Sequence, residues 1–147
     1  MSTTHPPRPV IRRDIAGVPV ADLAARFGTP LYAYDAETIR RRCRDLAAWD
    51  TVRFAQKACP NLAVLALVRQ EGVLVDAVST GEIHRALAAG YPSHAAPQPG
   101  PDGLPPAHPI VYTADIFDRA SLDEVARLGI HVNCGSADML EQLAARV

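Results

Sequence analysis

The sequence predicts an α/β fold built on parallel strands. Three observations predict it. Short segments rich in β-branched and aromatic residues begin near residues 52, 73, 110 and 130. Each is followed by a stretch with apolar residues at helical spacing, bounded by a cap or a stop signal. Apart from one Pro-rich stretch, the repeat is about 20 residues, near the short end for a β/α unit. Such alternation implies a parallel sheet with right-handed crossovers. Two architectures fit this rhythm. One is a small doubly wound domain; the other is the first half of an eight-unit barrel, which normally takes about 250 residues. No G-x-G-x-x-G and no G-x-x-x-x-G-K-[ST] occurs, so the nucleotide-binding versions of the first lack their usual support.

The elements follow in order. Residues 1–14 are rich in Pro and Arg and read as irregular. Val20 to Phe27 reads as a short helix closed by Gly28, and Leu31 to Tyr34 as a short strand. Asp35 is a candidate N-cap for a helix to about Ala48, with Ile39, Cys43, Leu46 and Ala47 at helical spacing. Val52 to Gln56 alternates as a strand does. Asn61 can cap a helix running to Glu71, with Gly72 as its stop. Val73 to Val78 is the second strand, and Ser79-Thr-Gly-Glu82 is a capping box opening a helix that ends at Gly90. Tyr91 to Pro109 holds seven of the thirteen prolines and reads as an irregular surface insertion. Ile110 to Thr113 is the third strand. Ser121-Leu-Asp-Glu124 forms a second capping box for a helix ending at Gly129. Ile130 to Asn133 is the fourth strand, and a helix from Ser136 closes the chain with Met139, Leu140, Leu143 and Val147 on its apolar side. That helix runs to the last residue without a Gly cap or polar tail, which leads us to expect the front part of a longer chain.

Composition excludes several classes. The 147 residues are 48% apolar and 21% charged, with a net charge of -1. There is no basic footprint for nucleic acid, no run of roughly 18 apolar residues for a membrane span, and no apolar signal-peptide core. Three widely spaced cysteines, Cys43, Cys59 and Cys134, suggest no disulfide framework and a reducing, cytoplasmic home. The five histidines form no zinc pattern, so no metal is expected. The Arg40-Arg-Arg-Cys-Arg44 run reads as a solvated helix face, and His84 and His131 as structural.

One feature stands out within the charges. Of fifteen basic residues fourteen are Arg, and the single Lys is Lys57, at the C-terminal end of the first strand of the rhythm. Both candidate architectures bind ligands at that end of the sheet. A shielded lysine amine can act there as a nucleophile toward an aldehyde, whereas a guanidinium stays protonated. An ordinary surface lysine fits the position equally well.

The surrounding residues favour the first reading. Val52-Arg-Phe-Ala-Gln-Lys-Ala-Cys-Pro-Asn61 resembles the cofactor-lysine motif of the alanine-racemase-like pyridoxal-phosphate enzymes, and more narrowly of the diaminopimelate decarboxylases. The resemblance extends through Gly28-Thr-Pro-Leu-Tyr-Ala-Tyr-Asp35, Val75-Asp-Ala-Val-Ser-Thr-Gly-Glu82 and Arg85-Ala-Leu-Ala-Ala-Gly-Tyr91. It continues in Ile110-Val-Tyr-Thr-Ala-Asp115 and His131-Val-Asn-Cys-Gly-Ser136. It implies the N-terminal half of a TIM (β/α)8 barrel of about four β/α units. Residues 1–50 would form a lead with a short strand and helix, and 51–147 a partial barrel interrupted by the 91–109 insertion.

The resemblance also implies a chemistry. Lys57 would anchor pyridoxal 5'-phosphate covalently, Asp76 would lie near the cofactor ring, and Glu82 would lie behind it. Each carboxylate has a simpler alternative: Asp76 could begin a turn, and Glu82 is already explained by the capping box. The implied reaction is decarboxylation of meso-diaminopimelate to L-lysine in a homodimeric enzyme. Ornithine and arginine decarboxylases share the scaffold, and a non-catalytic cofactor-binding or interaction module is a further alternative. The partner of the ring nitrogen, the phosphate-binding loops and the substrate-handling cysteine would all lie beyond residue 147. Cys59, two residues past Lys57, reads as a small core filler.

Overall fold

A computed structural model describes residues 11–94 and 106–147. The chain divides into two compact units, residues 1–38 and 39–147. In the first, β1 (Asp14–Ile15) and β2 (Val18–Pro19) form an antiparallel hairpin, followed by α1 (Val20–Phe27). The hairpin turns on Ala16 and Gly17, both at positive φ (51° and 77°), as a two-residue connection requires. The sequence reading had no hairpin here, because it carries no Asn-Gly or Asp-Gly signal. Leu31 to Tyr34 is not a strand. It has no partner strand among the described residues, and Tyr32 is 87% exposed.

Helix α2 (Ala36–Arg44) opens on Asp35, whose carboxylate accepts from the backbone N–H groups of Glu37 and Thr38. It ends four residues earlier than expected and unwinds through tight turns, with Leu46 N–H bonding Cys43 C=O and Ala47 N–H bonding Arg44 C=O. Arg40 and Arg44 both reach Glu71, at 3.5 and 3.6 Å. Part of the basic run therefore serves packing.

The second unit is the β/α rhythm. Strands β3 (Arg53–Ala55), β4 (Leu74–Ala77), β5 (Ile110–Tyr112) and β6 (His131–Val132) form one parallel sheet in the order β3-β4-β5-β6. Helices α3 (Leu62–Gln70), α4 (Thr80–Ala88), α5 (Arg119–Leu128) and α6 (Ala137–Ala144) follow the strands in turn. Sequential order with no reversal is the progression of a barrel; a doubly wound sheet needs a switch point. Burial agrees. Val75, Ala77, Ile110 and Tyr112 are buried in the core with Leu65, Ile83, Ala86, Leu122 and Val125 of the helices. The alternate strand residues, Arg53, Ala55, Leu74, Asp76 and Val111, are only half-buried. Strand alternation therefore gives the sheet one covered face and one open face, as a partial TIM barrel of four β/α units must have.

The caps explain the helix starts. Asn61 accepts from Ala63 and Val64 N–H, and Ser79 accepts from Glu82 N–H. The second capping box is corrected. Helix α5 starts earlier, on Asp118, which accepts from both the backbone N–H and the hydroxyl of Ser121. Ser121 lies buried inside the helix, 2.8 Å from the Thr80 hydroxyl. Of the 91–109 insertion, residues 95–105 lie outside the described residues. Its ends are anchored: Tyr91 is buried and donates to Val73 C=O, and His108 and Pro109 are buried beside β5.

Candidate active site

The site is built at the C-terminal ends of β3 and β4. Strand β3 gives way at once to a 3-10 turn, Gln56–Ala58, closed by Cys59 N–H bonding Gln56 C=O at 3.0 Å. The turn packs against β4. It separates two neighbours sharply. Gln56 continues the buried side of the strand and is fully buried, while Lys57 is exposed. Among the described residues neither polar atom of the Gln56 amide has a hydrogen-bond partner. The turn therefore presents the one lysine amine at the rim of the sheet.

Asp76 is opposite Ala55 in the parallel register, on the open face. The Thr113 hydroxyl donates to Asp76 Oδ1, while Thr113 N–H bonds Ala77 C=O at 2.9 Å. On the other side lies Arg53, half-buried, whose guanidinium donates to Val75 C=O at 3.2 Å and His108 C=O at 2.8 Å. Burial lowers the Arg53 pKa, and the charge of Asp76 opposes that shift. The carboxylate thus sits between a cation on β3 and a hydroxyl just past β5. Sequence reasoning singled out Lys57 and Asp76 as candidates, and did not single out Arg53 or Thr113. Their signal was the strand alternation, which puts residues 53, 76, 111 and 113 on one face once the register is known.

Glu82 is placed differently. Its carboxylate accepts from Val78 N–H at 2.8 Å, one residue before the cap, and its own N–H bonds the Ser79 hydroxyl at 3.2 Å. It braces the turn from β4 into α4. His84 pairs with Glu124 at 2.9 Å on the helix surface, and Glu124 is also held by Arg127, which lowers its pKa to about 2. His131 stacks near His108, ring centres 4.8 Å apart. Among the described residues no three or more His, Cys, Asp or Glu side chains gather as a metal site, and no helix is long and apolar enough to cross a membrane.

A primary amine at the rim of an open barrel-type sheet, with an anchored carboxylate on the neighbouring strand, suits a cofactor that carries an aldehyde on a charged aromatic ring. Comparison with known proteins agrees. The sequence pattern described as "Pyridoxal-dependent decarboxylase, pyridoxal binding domain" matches residues 36–147. Diaminopimelate decarboxylase from Escherichia coli K12 is 51% identical over 130 residues, covering 88% of this chain and 29% of the relative. The Streptomyces coelicolor enzyme of the same name is 50% identical over 136 residues, covering 92% and 29%. A crystal structure of diaminopimelate decarboxylase superposes with a TM-score of 0.73 at 50% identity, over 84% of this chain and 27% of that one. The Helicobacter pylori diaminopimelate decarboxylase complexed with L-lysine superposes with a TM-score of 0.67 at 26% identity, over 85% and 30%. The chain belongs to the pyridoxal-dependent decarboxylase family and carries its pyridoxal binding domain. It spans less than a third of the length of these relatives.

Proposed function

We propose that this chain is the cofactor-anchoring part of a pyridoxal-phosphate-dependent decarboxylase that converts meso-diaminopimelate to L-lysine. The observation that carries the reading is identity of 50% or more to two diaminopimelate decarboxylases across most of the chain, with Lys57 at the C-terminal end of β3. Bound pyridoxal phosphate supplies the electron sink for the carbanion left when carbon dioxide departs. Lys57 anchors the cofactor through its amine. Asp76 presents negative charge beside the ring from the adjacent strand. Glu82 braces the β4–α4 turn that follows Asp76 through its bond from Val78 N–H. The remaining contacts of the full enzyme, including the second subunit of a cytoplasmic homodimer, come from outside this segment.

The test is direct. The chain is incubated with pyridoxal phosphate, reduced with borohydride and mapped by mass spectrometry. The pyridoxyl mass is expected on Lys57 and is lost in Lys57→Arg, since a guanidinium stays protonated. A folded sample with no modification at Lys57 would sink the reading. The 147-residue chain alone is expected to release negligible carbon dioxide from diaminopimelate, because it spans under a third of its relatives' length. Measurable release would overturn that part.

A further inference from the structure

The Asp76 carboxylate is held from a direction that its own strand does not supply. Thr113 follows β5 with its N–H fixed to Ala77 C=O at 2.9 Å, so its backbone is locked against β4. Its flanking residues Tyr112 and Ala114 are buried, and Thr113 itself turns to the open face. A β-branched side chain at such a position has few rotamers. Its hydroxyl donates to Asp76 Oδ1. A carboxylate otherwise rotates freely about its last torsion. A donor on one oxygen restricts that freedom.

We propose that Thr113 is a positioning residue that fixes the orientation of the Asp76 carboxylate for the cofactor anchored at Lys57. This rests on the reading that Lys57 and Asp76 serve pyridoxal phosphate. In this proposal Thr113 acts through Asp76, the partner of its hydroxyl. Arg53 lies on β3 with its charge felt by Asp76, and its two recorded hydrogen bonds go to the backbone carbonyls of Val75 and His108. The Thr113 hydroxyl is the side-chain donor that meets the carboxylate directly.

The experiment measures cofactor affinity by absorbance titration, with borohydride mapping as a second readout, on the unmutated chain, Thr113→Val, Thr113→Ser, Asp76→Asn and the Thr113→Val/Asp76→Asn double variant. Thr113→Val is expected to raise the Kd for pyridoxal phosphate about tenfold, the scale of one hydrogen bond to a charged acceptor. Thr113→Ser keeps the hydroxyl and is expected to bind like the unmutated chain. In the Asp76→Asn background Thr113→Val is expected to add little further loss, because the two residues act as one unit. A structural role would instead lower the melting temperature and leave the loss undiminished in that background. Should Thr113→Val lose its native circular dichroism, Thr113→Ala removes the same hydroxyl and carries the same expectation. Unchanged affinity in the hydroxyl-free variants, or additive losses in the double variant, overturns the inference while the cofactor reading stands. Absence of the Lys57 modification in the unmutated chain overturns both.

Discussion

At the scale of single residues, burial decides which polar groups can titrate. His108 is buried beside β5, its Nδ1 accepting from Ile110 N–H at 3.1 Å. Burial pushes its pKa below the ordinary 6.5, and the neighbouring His131 and Arg53 add to that. A proton on Nδ1 would also break the bond from Ile110. The sign follows: a group whose folded value is depressed contributes fully above its ordinary value and loses that contribution as pH falls through the folded one. Urea midpoints measured from about pH 8 down to about pH 5 are expected to fall below neutrality. In His108→Asn, where a short side-chain carbonyl can still accept from the N–H two residues on, that acid-side slope is expected to flatten. An unchanged slope would locate the titrating group elsewhere. Lys57 was legible in the sequence for a related reason. One amine among fourteen guanidiniums is a chemical difference visible without coordinates. The partners of Asp76 were not, because they depend on register across three strands, which no single strand encodes.

At the scale of elements, the sequence revealed the β/α rhythm well and the details of its joints less well. The alternating strands and the caps at Asn61 and Ser79 were legible because each is a local pattern with a local cause. The start of α5 was misread because Asp118 and Ser121 both suit an N-cap, and tertiary packing chose between them by burying Ser121 against Thr80. Leu31–Tyr34 was misread because strand composition does not supply a partner strand. The joint after α4 shows how tightly some connections are specified. Gly90 has φ of 90°, and an added Cβ would lie 3.2 Å from Nε of Arg69, whose guanidinium donates to Ala89 C=O. Gly90→Ala is expected to cost about 1–3 kcal/mol in chemical denaturation, from backbone strain and displacement of Arg69. Gly81 in the first turn of α4 has ordinary φ, and the nearest atom to its added Cβ is 3.9 Å away. Gly81→Ala is expected to be neutral or to stabilise by about 0.4–1 kcal/mol. Equal losses at both sites would refute the distinction.

At the scale of the whole molecule, the open face of the sheet sets the behaviour of a polypeptide limited to these 147 residues. Among the described residues β3 and β6 each pair with one strand only, so both edges offer free backbone groups for pairing. Leu74 and Val111 lie half-buried on the uncovered face, and Leu140 on α6 is 59% exposed. Apolar surface of this kind, next to parallel edges, favours association. A net charge of -1 supplies little repulsion to oppose it. Four parallel strands also impose a geometry. A rotation axis parallel to the strands carries one edge onto another without reversing direction, so β6 of one copy can lie beside β3 of the next. Sedimentation velocity across a dilution series is therefore expected to show reversible self-association. Val111 is in register with Asp76 and His131 at the middle of the open face. Val111→Lys puts a cation there, where a docked copy would have to desolvate it, and is expected to shift the distribution toward monomer. A monomer at every concentration, with no response to a hydrophobic dye, would mean that the open face is covered from within the same chain.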